Sequence, residues 1–371
     1  MFLNKLTLAG FKNLSEQTVE FEPQTGVNIF LGSNGQGKTN FLEAVRLLAL
    51  PKPLRAKNFS ELLNYNQSLE YFRIIGGFVT EQKKDVFLEF GYQRKPEKRV
   101  YKVDNIASDL SHFVGNLQVV LFTPDDLNLL IGAPGLRRRF LDTLLSQVNP
   151  EYLHHLQSYY HALRQRNQLL KRGNVSIGEV QPWTQQLVAN LVPLLAKRAE
   201  LISYVQTKIT GLYTDIAHAD ADVLLQYAPL GEYLDFENSD KQLEQEDIFK
   251  LFDQNFDRDL RMRHTTLGAH RSDFSFKLNG QPVATTASRG ELRSLVLVLK
   301  LLELKFAEQQ VSKRPLLLLD DVFSELDKDR RQQLLDLSAN YQTLITTVEE
   351  NYFKEQSVSR VYKMEAGKLS Y

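Results

Sequence analysis

The 371-residue chain contains no cysteine. That excludes disulfides, thiolate metal sites and cysteine nucleophiles, and a reducing compartment is expected. Net charge is missing too, since 45 Lys and Arg stand against 45 Asp and Glu. No global basic field advertises a nucleic acid, so any such contact must come from local patches. No apolar run approaches the roughly 18 residues of a membrane helix. Met1-Phe2-Leu3-Asn4-Lys5 starts a strand pattern and lacks a signal-peptide core. Internal repeats and low-complexity tails are also lacking. What remains is a chain of two or three globular domains, expected in the cytoplasm with no membrane partner.

Against these absences stands Gly32-Ser33-Asn34-Gly35-Gln36-Gly37-Lys38-Thr39, which fits the phosphate-loop pattern G-x-x-x-x-G-K-[ST]. Val27 to Leu31 before it reads as a short buried strand. Phe41, Leu42, Val45, Leu48 and Ala49 after it recur at helical spacing until Pro51. The glycines let backbone N–H groups turn inward around phosphates, and the helix start adds positive dipole. Lys38 would reach the β- and γ-phosphates of a nucleotide, and the Thr39 hydroxyl would ligate Mg²⁺.

Such a loop needs a carboxylate for the metal. Leu316-Leu317-Leu318-Leu319-Asp320-Asp321 supplies one as an apolar strand that delivers acids at its C-terminal end. Asp320 would bind Mg²⁺, and Asp321 stands where a carboxylate can polarise an attacking water. The two halves lie far apart in sequence, so the fold is expected to be α/β. It would be a phosphate-loop ATPase head, a mixed sheet flanked by helices plus an antiparallel meander, assembled from both chain ends around an inserted helical arm. The expected boundaries are 1–122, 123–262 and 263–371. Strand patterns at Tyr71–Thr80, Asp85–Gln93 and Arg99–Val103 predict the meander, and Gln118–Phe122 a further buried strand. In the arm, Leu153, Leu156, Tyr160, Leu163, Asn167 and Leu170 form a heptad-like seam, with Asn167 a register device. A second helix is expected after Pro182-Trp183, kinked or restarted at Pro193, giving a hairpin roughly 30–40 Å long. Glu232 to Asp247 reads as an acidic solvated stretch, and Asn279-Gly280 as a hairpin turn.

Ser288-Arg289-Gly290-Glu291 precedes a helical run. Ser288 and Glu291 make a capping box, and the same helix start can serve as a phosphate-binding surface supplied to another subunit's nucleotide.

These motifs, in this order around a helical insert, resemble the RecF family of bacterial DNA repair ATPases, related to SMC proteins and ABC-type ATPases. The shared segments are Gly35-Gln36-Gly37-Lys38-Thr39-Asn40, Ser288-Arg289-Gly290-Glu291 and Asp320-Asp321-Val322-Phe323-Ser324-Glu325-Leu326-Asp327. Pro124-Asp125-Asp126, Gly135 to Asp142 and Gly268-Ala269-His270-Arg271-Ser272-Asp273 carry the likeness further. The resemblance implies an ATP- and Mg²⁺-dependent homodimer that closes on DNA and acts with RecR and RecO at single-strand gaps in recombinational repair. It also implies that Gly32 to Asn40 hold the nucleotide, with Lys38 and Asp321 catalytic and Thr39 and Asp320 on the metal. Ser288, Arg289, Gly290 and Glu291 would act in trans, and Asp327 at the dimer seam.

The chain departs from the wider superfamily in places. Thr123-Pro124 stands where ABC-type ATPases usually place a Gln, and Thr346-Thr347 where they place a His. The second acid is Asp where Glu is usual, which implies slow turnover. DNA contacts are expected among Lys52, Arg55 and Lys57, in Arg137-Arg138-Arg139, or at the Arg94–Arg99 hairpin tip, and to phosphates. Two other readings are open, a transporter ATPase subunit and a DNA-binding structural protein without turnover.

Overall fold

The computed structural model describes residues 1–65, 69–231, 244–349, 352 and 358–370. By packing, the chain divides into two units. One joins Met1–Asp126 to Glu303–Tyr371, and the other is Leu127–Leu302. The first unit is thus built from both chain ends. This division differs from the expected boundaries chiefly over 263–302, which groups with the helices.

In the first unit, β1 (Phe2–Ala9), β2 (Gln17–Glu20), β4 (Tyr71–Val79), β5 (Asp85–Gln93), β6 (Lys98–Val103) and β7 (Ile106–Ser108) form an antiparallel sheet. Its order is β2-β1-β4-β5-β6-β7, the meander read from alternation. The second sheet holds β3 (Gly26–Leu31), β8 (Val119–Phe122), β12 (Leu316–Asp320), β13 (Gln342–Thr347), β14 (Val358–Glu365) and β15 (Lys368–Ser370). Its order is β15-β14-β3-β13-β12-β8, parallel except for the terminal β14–β15 hairpin.

Helix α1 (Lys38–Ala49) packs against strands of both sheets, which explains why it is buried almost all round. Phe41, Leu42 and Val45 share one core with Leu6, Phe72 and Phe90 of one sheet and Phe30, Leu318 and Leu344 of the other. The Phe30 ring stacks on Tyr362 at 5.0 Å and meets Phe41 at 4.7 Å, fixing the end of β3 beneath the phosphate loop. Two helices complete this unit, α2 (Leu110–Phe113) and α11 (Lys328–Ser338).

The second unit runs through α3 (Asn128–Ile131), α4 (Pro134–Val148), α5 (Pro150–Leu170), α6 (Ile177–Ala217), β9 (Val223–Ala228), α7 (Gln245–Gln254) and α8 (Phe256–Met262). Next come β10 (Asp273–Leu278), β11 (Gln281–Pro282), α9 (Val283–Thr286) and α10 (Arg289–Val311), whose last turns enter the first unit. The β9–β10–β11 sheet turns at Asn279 and Gly280, both with positive φ (50° and 77°), as the Asn-Gly pair predicts.

Two arm expectations need correction. Helix α6 is one 41-residue element that begins at Ile177 and runs through both Pro182 and Pro193. At 1.5 Å per residue it spans about 60 Å, longer than the expected hairpin. A continuous buried seam of Leu187, Leu191, Leu194 and Leu201 carries it past the proline, which removes only one backbone hydrogen bond. Asn167 has a definite partner: its Oδ1 accepts from the Thr265 N–H and hydroxyl at 2.7 and 2.8 Å. Most of the acidic stretch, 232–243, lies outside the described residues.

The arm's interior is also more ionic than an apolar seam implies. Arg166 donates to Asp259 Oδ2 (2.6 Å), Thr265 Oγ1 (2.7 Å) and Thr184 Oγ1 (3.0 Å), with both charged residues at most 1% exposed. Arg198 donates to Asp142 (2.6 Å), Tyr152 (2.9 Å), the Ala269 carbonyl (2.8 Å) and Ser272 (2.7 Å). Buried guanidinium groups persist where every donor direction finds an acceptor.

Candidate nucleotide-binding site

The loop after β3 needs glycine where the chain turns back. Gly35 and Gly37 have φ of 81° and 111°, and a Cβ on Gly37 would lie 2.9 Å from Leu14 Cδ2 and 3.0 Å from Asn13 Oδ1. Only hydrogen fits there, so the backbone enters α1 in a left-handed turn, and a helix start is a place that suits an anion. Lys38 Nζ donates to the Gly32 carbonyl at 2.5 Å and the Ser33 carbonyl at 3.0 Å, which holds the amine over the loop. Burial pushes its pKa down, opposed by Asp321 and Asp320.

Strand β13 lies between β3 and β12, so the loop and the acidic strand end sit at the same edge of one parallel sheet. There Thr39 Oγ1 donates to Asp320 Oδ1 at 2.9 Å, across 281 residues of sequence. Asp320 is only 6% exposed. A buried carboxylate beside a threonine hydroxyl is a hard-oxygen pair of the kind Mg²⁺ takes when phosphate and water fill its other positions. Among the described residues no group of three or more His, Cys, Asp or Glu is placed to hold a metal. Asp321 follows in the left-handed region (φ 53°). Burial raises its pKa, with Lys38 pulling the other way and Asp320, Glu325 and Glu349 adding to the rise. A raised pKa makes the ionised form of this carboxylate a stronger proton acceptor.

Several supporting contacts were not legible from sequence. Asn13 donates to the Gly35 carbonyl at 3.3 Å and accepts from Asn40 at 2.7 Å. Lys12 holds Asn40 at 3.1 Å and pairs with the buried Glu43. From the C-terminal hairpin, the Ala366 N–H meets Gln36 Oε1 at 2.5 Å and the Gly367 N–H meets the Gln36 carbonyl at 2.9 Å. Thr346 donates to Asp320 at 2.7 Å. At the sequence level that position registered only as the lack of a histidine.

The other candidate residues fall as follows. Ser288 and Glu291 form the capping box of α10: the Ser288 N–H reaches Glu291 Oε2 at 2.7 Å, and the Glu291 N–H reaches Ser288 Oγ at 3.3 Å. Arg289 and Gly290 lie in its first turn, and all four residues belong to the second unit. Asp327 caps α11, accepting from the Arg330 N–H at 3.0 Å and pairing with its guanidinium. Lys52 and Lys57 are exposed, whereas Arg55 pairs with Asp125 at 2.6 Å. Arg137 is removed from the DNA candidates, because it is buried and donates twice to Asp273 at 2.6 and 2.9 Å. Arg138 donates to the Ser272 carbonyl at 2.9 Å, and Arg139 is half-buried. At the hairpin tip, Arg94 pairs with Glu70 and Arg99 lies over the Phe59 ring.

A phosphate loop and acidic strand on one parallel sheet, with an antiparallel sheet across α1, define an ABC-type ATPase head. Residues 2–370 match the family model described as RecF/RecN/SMC N terminal domain. The chain belongs to the RecF family. It is 33% identical over 380 residues to the DNA replication and repair protein RecF of Lactobacillus delbrueckii subsp. bulgaricus, covering 100% of this chain and 97% of that one. With the RecF protein of Shouchella clausii it shares 35% over 353 residues, covering 94% and 92%. A solved structure of the recombination mediator protein RecF-ATPrS in the RecFOR pathway superposes with TM-score 0.88 at 27% identity, covering 100% and 97%. An Smc head bound to the C-winged helix domain of ScpA, 14% identical with TM-score 0.55 over 100% and 96%, shares the fold alone. Among the described residues no helix is long and apolar enough to cross a membrane.

Proposed function

We propose that this chain is an ATP-dependent DNA clamp of replication and recombinational repair, working in the cytoplasm with the nucleoid. The observation that carries the reading is the meeting of Thr39 and Asp320 at 2.9 Å, which brings two distant motifs together and supports reading them as one Mg²⁺-nucleotide site. Gly32 to Asn40 would receive the triphosphate, with Lys38 on its outer phosphates and Thr39 and Asp320 toward Mg²⁺. Bound Mg²⁺ would supply charge neutralisation of the phosphates. Asp321 would take the proton of the attacking water. The start of α10 at Ser288, Arg289, Gly290 and Glu291 would face the nucleotide of a second copy, and Asp327 would stand at that seam.

In this reading ATP closes the dimer on DNA, and slow hydrolysis reopens it. RecR and RecO are the partners the family implies. Lys52, Arg55, Lys57, Arg138 and Arg139 are the DNA-contact candidates of this reading, and contacts to phosphates would make binding salt-dependent. Measuring mass with ATP and Mg²⁺, then without nucleotide, tests the closure: a dimer only with ATP is expected. Lys38→Met should abolish ATP-dependent dimerisation on DNA, and retention would refute the site. DNA binding indifferent to ATP would favour a structural protein without turnover, and no DNA binding a transporter subunit.

A further inference from the structure

Thr346 is the last residue but one of β13, fully buried, and is the register partner of Asp320 on β12. Its hydroxyl has one proton and two lone pairs. Asp320 Oδ1, at 2.7 Å, is the strongest acceptor in reach, so the proton goes there. The Leu319 carbonyl at 3.5 Å competes for the same proton and is the weaker partner. The oxygen is left to accept the Asp321 N–H, which lies 3.0 Å away and is shared with the Thr346 carbonyl at 3.1 Å. One side chain therefore touches both acids of the site. It fixes the carboxylate of the first and the backbone of the second, at the residue where the chain turns left-handed.

Asp320 Oδ1 then has a donor on each side, Thr39 from α1 and Thr346 from β13. With two donors on one oxygen, the carboxylate plane has little freedom to rotate. We propose that Thr346 is a positioning residue for the Mg²⁺ site, acting through Asp320 and setting the turn that aims Asp321. The next residue, Thr347, bonds locally to the Glu349 backbone and reaches neither acid. Ordering of the acidic pair falls to Thr346.

This inference rests on the nucleotide-site reading, and its test separates the two. Binding of a fluorescent ATP analogue is measured in EDTA, then titrated with Mg²⁺ and with Mn²⁺, the latter followed by electron paramagnetic resonance. Thr346→Val keeps the shape and removes the hydroxyl. It should weaken apparent metal affinity by about tenfold or more while nucleotide binding in EDTA is unchanged. Thr346→Ser restores the hydroxyl without the methyl and should return metal affinity to near wild type. If Thr346→Val fails to fold, Thr346→Ser against Thr346→Ala carries the same comparison. Wild-type metal titration in the hydroxyl-free variant overturns the proposal, as does equal loss in Ser and in Val or Ala, which marks a packing role. Failure of the wild-type chain to bind the analogue at all overturns the nucleotide-site reading instead.

Discussion

The two units use the same kinds of charged residue in opposite ways. In the arm, Arg166 and Arg198 are buried and surrounded by acceptors, and Asp259 takes four donors from Arg166, Asn255 and Thr266. In the head, burial works against the charged forms of Lys38 and Asp321. Saturated charges hold a structure in place, whereas charges left short of stabilisation remain available to a ligand. Burial alone therefore does not separate scaffold from chemistry; the number of partners does.

The sharpest way to break this comparison lies in the arm. Arg166→Met leaves Asp259 buried with its remaining donors and no cation. Removing one partner of a buried pair costs about 3–5 kcal/mol. Urea unfolding should show that loss, while nucleotide affinity of the still-folded fraction stays at the wild-type value. A loss below about 1 kcal/mol would mean the pair is only tolerated.

A smaller effect is expected at His270, also in the arm. Its Nε2 faces the Thr265 carbonyl at 3.0 Å and must donate, so Nδ1 accepts from the Tyr159 hydroxyl at 2.7 Å. Burial pushes its pKa down to about 4, with Arg271, Arg138 and His264 adding repulsion and the Thr265 carbonyl opposing. The folded state resists a proton that the unfolded chain takes up near pH 6.5. Stability is thus fully present above that pH and is lost as pH falls toward 4, by up to roughly 3 kcal/mol. Unfolding free energies at pH 7 and pH 4.5 should differ in the wild type. In His270→Gln, which keeps a donor for Thr265, that slope should flatten.

Much of the head was legible because its signals are local. The phosphate loop is one contiguous pattern, and a leucine run ending in acids can serve few purposes once that loop is present. Even the meeting of Thr39 and Asp320 follows from wanting one metal site. Thr346 was not legible, since its role depends on lying opposite Asp320 in a parallel ladder, and register between strands remote in sequence leaves no periodic trace. The arm hid its ionic interior for a related reason. Arg166 and Arg198 look like solvated helix residues until partners from Asp142, Asp259 and the 265–272 segment close on them. Pro193 misled in the other direction, because packing along the seam outweighs a local breaker.

The smallest stability effect should come from the residue with the largest functional one. Lys38 is nearly buried, and its amine is held by two carbonyls of its own loop. Its charge is disfavoured there by desolvation, so Lys38→Met removes about as much cost as benefit, and stability should move by less than about 1 kcal/mol. On the proposed reading ATP hydrolysis should fall by about a hundredfold or more, since the amine would supply positive charge to the outer phosphates. Calorimetry and steady-state hydrolysis on the same preparation give both numbers. A Lys38→Met protein that is strongly destabilised would place this lysine with Arg166 as scaffold and erase the contrast between the two units.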